Sequence, residues 1–138
     1  MQLQQLSDRA ELVDLVARLA QWLDDQRFGD AADVFAPAIT VSTPGGNAEG
    51  LDAVVAQARR NHEGARTHHS ITNVLPVLDG DRASIDANVT VAFIQPDGTR
   101  ESLGGRYRLG AVRTGAGWRL ARLEVEQVWG PAGVRRAA

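Results

Sequence analysis

Arg82-Ala-Ser-Ile-Asp-Ala-Asn-Val-Thr-Val-Ala-Phe-Ile-Gln95 alternates more cleanly than any other stretch of the chain. Ile85, Ala87, Val89, Val91 and Phe93 fall on one side, and Ser84, Asp86, Asn88 and Thr90 on the other. A period of two sends successive side chains to opposite faces of a strand, so this segment has one face in a core and one toward water. The period continues in both directions. It predicts four strands over residues 67–78, 82–95, 101–113 and 118–129, joined where turn residues cluster at 79–81, 96–98 and 114–117. These form an antiparallel meander.

Upstream of residue 67 the spacing becomes three-and-four. Leu12, Leu15, Val16, Leu19, Trp22 and Leu23 share one face of a helix that Ser7 or Asp8 starts, with Asp8 and Glu11 in its first turn. Phe28-Gly-Asp30 breaks it. A short second helix from Asp30 stops before Pro37, a strand covers 39–42, and 44–50 reads as a flexible loop able to rim a pocket. Leu51, Val54, Val55 and Ala58 give a third helix ending near Arg59-Arg-Asn-His62.

Three N-terminal helices packed into a curved antiparallel sheet of four to six strands make an α+β architecture, expected as a single domain over 1–138. Long strands wrapped over a first helix form a cone, and a cone has an interior. Gly104, Gly105 and Gly110 are placed to let the strands bend.

Composition narrows the function. A chain of 138 residues, 43% hydrophobic and 23% charged, suits one folded core. With a net charge of -2 and its charges interleaved, it offers no footprint for nucleic acid or an anionic membrane. All 15 basic residues are arginine, so lysine Schiff-base chemistry is excluded, and the absence of cysteine excludes thiol nucleophiles and disulfides. The start of the chain lacks a basic and an apolar leader segment and no apolar run approaches bilayer length, so a cytoplasmic protein is expected. No cofactor is expected.

Candidate site residues follow from geometry. At about 100° per residue, Asp25 joins Asp14, Arg18 and Gln21 on the polar side of the first helix, whereas Asp24 joins Val13, Ala17 and Ala20 on its flank. A carboxylate on that flank is expected to be half-buried and to need a partner, since an unpaired charge out of water is costly. His69 heads the first long strand. Parity turns His68 to the opposite face, outside the cone, and His62 at a helix end beside Glu63 is expected to cap it or face water. Because His68 and His69 diverge and no third ligand has useful spacing, no metal site is predicted.

Tyr107 shares a face with Leu103 and Leu109 and should point inward; Asn73 shares the parity of His69. Trp22, Phe93, Leu123, Val125 and Trp129 are candidate cavity walls, and each also suits an ordinary core.

Leu23-Asp-Asp25 ahead of 33–37, Thr67-His-His69 running to Asn73, Gly104-Gly-Arg-Tyr107, Gly117-Trp-Arg119 and Val128-Trp-Gly130 occur in an order that resembles one family. It is the SnoaL-like branch of the nuclear transport factor 2-like superfamily, cone-shaped barrels that include scytalone dehydratase, hexachlorocyclohexane dehydrochlorinase and bile-acid dehydratase. The resemblance implies that Asp24 hydrogen-bonds His69 and that His69 is a general base, with Tyr107 the candidate proton donor and Asn73 a candidate substrate contact. It also implies a lyase or isomerase, dehydratase- or cyclase-like, acting on a hydrophobic, aromatic or polyketide-like molecule. Departures are visible too. The strand 82–95 has no histidine, Leu23 precedes Asp24 where scytalone dehydratase has a tyrosine, and Leu19 stands where the dehydrochlorinase has a lysine. Arg113 could replace that enzyme's arginine, though beside a turn it is expected to be solvated. The alternative is a non-catalytic ligand-binding or assembly module of the same fold. An apolar outer sheet face would make the protein a homo-oligomer, dimer or trimer.

Overall fold

The computed structural model describes residues 2–131. Helix α1 spans Leu3–Asp24, and a 3-10 helix covers Phe28–Asp33. Strands β1 (Phe35–Thr43) and β2 (Gly46–Glu49) follow, then helix α2 (Leu51–Asn61) and strands β3 (Arg66–Asp79), β4 (Arg82–Ile94), β5 (Arg100–Thr114) and β6 (Gly117–Trp129). The strands form one curved, unclosed sheet in the order β2-β1-β6-β5-β4-β3. Its four long strands are the expected meander. The pairing of β1 with β6 is parallel, which makes the sheet mixed rather than wholly antiparallel.

The core lies where the two periodicities meet. Leu12, Leu15, Val16 and Leu19 of α1 are buried with Ile85, Val89, Val91 and Phe93 of β4, and Leu103, Tyr107 and Leu109 of β5 join the same cluster. Each large apolar side chain removed from water contributes about 1.5–3 kcal/mol before entropy is charged against it. The opposite face of β4 carries exposed Ser84, Asp86, Asn88 and Thr90, and β5 and β6 add exposed Arg106, Arg108 and Glu126. The same face also carries Leu75 and Val77 of β3, exposed beside Asp86 and Ser84, so it is mixed: polar at its centre with apolar side chains toward the β3 edge.

Several local expectations change. α1 begins at Leu3, where the Gln5 side chain accepts a hydrogen bond from the Gln2 backbone N–H, so Ser7 and Asp8 lie inside the helix instead of capping it. The second helix is only a 3-10 segment, and Phe35 already pairs with Leu120 in the sheet. The register then shifts before pairing resumes at Thr40 and Arg122, across the place where Pro37 has no N–H to give. Residues 46–49 are a strand paired antiparallel to β1, so the expected loop is mostly a hairpin. Irregularities in β5–β6 pairing fall at Gly104/Gly105 and Gly110/Ala111, the glycines expected to bend the sheet.

Arg113 is partly exposed but paired on both sides. It makes two 2.8 Å bonds to Asp8 and one of 2.9 Å to Asp81, and its guanidinium lies 4.6 Å from the Trp118 ring centroid. Asp8 and Asp24 are at opposite ends of α1, about 24 Å apart at the α-helical rise. Arg113 therefore ties down the end of the fold remote from Asp24. No helix among the described residues is long and apolar enough to cross a membrane.

Candidate active site

Asp24 closes α1 and is partly buried, whereas Asp25 is exposed. The Asp24 carboxylate grips the head of β3 from both oxygens. Oδ1 lies 2.6 Å from His69 Nδ1 and accepts the Thr67 hydroxyl at 3.0 Å, while Oδ2 accepts the His69 backbone N–H at 2.9 Å. Burial pushes the Asp24 carboxyl up, but the bonds from the His69 ring and backbone, the His69 charge and the Thr67 hydroxyl outweigh it. The net result is an acid held below its ordinary value of 3.8.

An ionised carboxylate only accepts, so Nδ1 of His69 carries a proton, and in the neutral ring the lone pair is therefore on Nε2. The His69 side chain is 0% exposed and the Asp24 side chain 19%. His69 Nε2 is buried with no hydrogen-bond partner among the described residues. The two ends of the imidazole thus differ: one is fixed by an acid, and the other is a basic nitrogen inside the fold.

Tyr107 lies on β5 opposite Ala87 of β4 and Val125 of β6, and it is fully buried. Burial, and secondarily the nearby Asp24 charge, push its hydroxyl well above the usual phenol range. It stays protonated and gives up a proton reluctantly. Phe93 is likewise fully buried.

An apolar cavity of about 40 Å³ is bounded by Leu19, Trp22, Phe35, His62, Leu123 and Val125, among others. It has room for about one water molecule, whereas small-ligand sites occupy roughly 300–1,000 Å³. Asp24 and His69 do not border it; with Ala20, Gln21, Thr67 and Ile94 they line a separate, open pocket of about 620 Å³. Trp22 packs edge-on against Phe28 and Phe35 with ring centroids 5.2 and 4.9 Å apart, and its buried Nε1 has no partner among the described residues.

Two expected site residues are elsewhere. Asn73 is exposed, because a register shift between Thr72 and Leu75 and its own φ of 56° break the parity that would have aligned it with His69. Trp129 is 51% exposed and lays its indole over Gly104 at the end of β6, outside the cavity.

His62 departs from expectation in the opposite direction. It is 4% exposed, its Nδ1–H donates to the Ala58 carbonyl at 2.7 Å, and its ring centroid is 6.2 Å from those of His69 and Phe93. The signal was available in the spacing: Val54, Ala58 and His62 recur at intervals of four, on the apolar face of α2. His68 is exposed.

The profile of the SnoaL-like domain matches residues 4–124. Among solved structures, the Kfla4162 protein of Kribbella flavida superposes with a TM-score of 0.86 at 29% identity, over 93% of this chain and 95% of that one. A scytalone dehydratase candidate from Novosphingobium aromaticivorans gives 0.86 at 20% identity over 97% and 93%. The hexachlorocyclohexane dehydrochlorinase LinA-type3 from Novosphingobium barchaimii gives 0.82 at 16% over 99% and 98%. No curated protein matches the chain. The two more distant superpositions establish a shared fold, and the profile match over residues 4–124 places the chain in the SnoaL-like domain family.

Proposed function

We propose that the protein is a small-molecule lyase or isomerase in which His69 is the general base and Asp24 its orienting acid. The observation that carries this reading is the asymmetry of His69: Nδ1 bound to Asp24 at 2.6 Å, Nε2 buried and unpartnered. In the proposed reaction Nε2 removes a proton from a carbon beside a carbonyl or leaving group. Asp24 fixes the tautomer beforehand and stabilises the imidazolium afterwards. The SnoaL-like family and its dehydratase- and dehydrochlorinase-type structural neighbours favour elimination or ring closure on a hydrophobic, aromatic or polyketide-like molecule.

The open pocket of about 620 Å³ bordered by Asp24, Thr67 and His69 is within the size range of small-ligand sites, whereas His69 Nε2 itself is buried. The burial of that nitrogen favours a second reading, in which the fold serves as a non-catalytic binding or assembly module.

Activity against a panel of β-substituted carbonyl compounds separates the two. With a substrate in hand, Asp24→Asn and His69→Ala are each expected to lower turnover by about a hundred- to ten-thousand-fold, with the circular dichroism spectrum retained. Turnover surviving both substitutions would eliminate the dyad.

A further inference from the structure

We propose that the substrate of this site carries a phosphate group, held by Arg59, Arg60 and Arg66, while its reacting carbon lies at His69. The proposal rests on the general-base reading above. The open pocket beside Asp24 and His69 does not end at the dyad: Arg66 and Ile94 on its border also border a second open pocket of about 910 Å³. The two pockets adjoin. Arg59 and Arg60, from the last turn of α2, line the second one together with Arg66 at the head of β3, and the carboxylate on its border is that of Glu63. All three arginines are exposed, and no carboxylate among the described residues lies within ion-pair distance of any of them. Cations in the last turn of a helix complement its dipole, which accounts for Arg59 and Arg60 as ordinary surface residues. It does not account for Arg66, which stands on a strand beyond the turn, nor for the seating of Arg59 over the Phe28 ring at 5.4 Å. The carbonyls at that helix end are also covered, Ala58 accepting the His62 N–H and Arg60 the Glu63 N–H. The pocket wall therefore presents guanidinium groups in excess over carboxylate.

Charge runs in one direction along the two pockets. Asp24 and the exposed Asp25 border the end that holds the base, Arg66 stands between, and Arg59 and Arg60 border the far end. An anionic group is repelled from the first end and drawn to the other, so the field sets which way round an elongated molecule lies. A phosphate monoester is close to a dianion at neutral pH and offers three acceptor oxygens. Guanidinium forks bind such oxygens in pairs, and a dianion offsets the arginine excess where a single carboxylate would leave part of it. Arg66 precedes His69 by three residues, about 10 Å along an extended strand. The phosphate is thus carried on a tether, away from the bond that breaks. It anchors and orients the substrate, and the proton is taken at the other end.

The test uses a β-(p-nitrophenoxy) ketone whose other arm is a butyl phosphate, with the butyl methyl ether and the pentanoate as counterparts. Loss of the proton between the carbonyl and the β-carbon forms the double bond and expels nitrophenolate, which is read by its colour. Wild-type protein should act on the phosphate with kcat/KM about tenfold or more above that for the ether, and added sodium chloride should shrink the advantage. In the Arg59→Gln, Arg66→Gln double variant the ratio of the two should fall about tenfold. In His69→Gln both rates should collapse while calorimetric binding of the phosphate is retained. Because Arg59 also packs on Phe28, Arg66→Gln alone is read in the same way where the double variant does not fold. Equal kcat/KM for phosphate and ether in wild-type protein, or a ratio that the arginine substitutions leave unaltered, overturns the phosphate site and leaves the base reading standing. An equal advantage for the pentanoate overturns the assignment to phosphate. Arginine-dependent binding of the phosphate without turnover of any of the three supports the phosphate site and overturns the base reading; neither binding nor turnover overturns both.

Discussion

Asp24 carries opposing effects on a single carboxyl. Burial favours its neutral form and the bonds from His69 and Thr67 favour the charged form, and the bonds win, so the folded value lies below the ordinary 3.8. A depressed folded value means that Asp24 contributes stability fully above pH 3.8, and that this contribution is lost as the pH falls through the folded value. Charge-assisted bonds of this kind, discounted for partial exposure, are worth about 1–2 kcal/mol. Urea unfolding should therefore show Asp24→Asn less stable than wild type by about that amount at neutral pH, with the gap closing in strong acid. A gap independent of pH would mean that the charge of Asp24 is not what holds His69. Proton NMR offers a second check, since the bonded His69 Nδ1–H should give a low-field resonance that Asp24→Asn removes.

Among the elements, the bend in β5 brings two glycines hard against β6. Gly104 and Gly105 are adjacent, and a Cβ on either would collide with β6, but with different atoms. At Gly104 the obstacle is the indole of Trp129, half-exposed and free to swing; at Gly105 it is the backbone carbonyl of Glu126, which cannot move without breaking the ladder. Gly105→Ala should cost about 1–3 kcal/mol and Gly104→Ala distinctly less, measured as shifts in the unfolding midpoint. Equal costs would mean that Trp129 is held as firmly as the strand. The same contrast explains what was legible in the chain. The alternation of β4 and the face of α1 are local patterns, and they survive into the structure because each has one face in the core. Phe35 could not be read as a strand, since its pairing with Leu120 depends on a partner 85 positions away. Asn73 was misplaced for a related reason, because strand parity holds only until a bulge interrupts it. Asp24 was singled out by its helical wheel; His62 was missed because its place at a helix end was given more weight than its spacing.

Over the whole molecule, two buried or half-buried carboxylates grip the sheet from the two ends of α1. Near one end Asp24 holds β3, and near the other Asp8 accepts Arg113 and the Trp118 indole N–H, while Arg113 reaches on to Asp81 in the β3–β4 turn. In the proposed reaction the first orients the base; the second joins α1 to β5 and β6. Arg113, together with hydrogen bonds from Trp118 and Gln4, holds the Asp8 carboxyl well below its ordinary value of 3.8. Its stabilisation is thus present above pH 3.8 and lost only as the pH falls through the lower folded value. Removing Arg113 leaves the buried Asp8 carboxylate without its cation, and removing the Asp8 charge leaves Arg113 with Asp81 alone, so Asp8→Asn and Arg113→Leu should each lower the unfolding midpoint. The double variant should be less destabilised than the sum of the two, because each single substitution already removes the Asp8–Arg113 interaction that the other would lose. Strict additivity would show that the pair is not coupled. Because this pair stands about 24 Å along α1 from Asp24, both single variants should keep the low-field His69 resonance at temperatures where they remain folded. Loss of that resonance in Asp8→Asn would instead make α1 a rigid lever through which the closed end of the fold sets the geometry of the base.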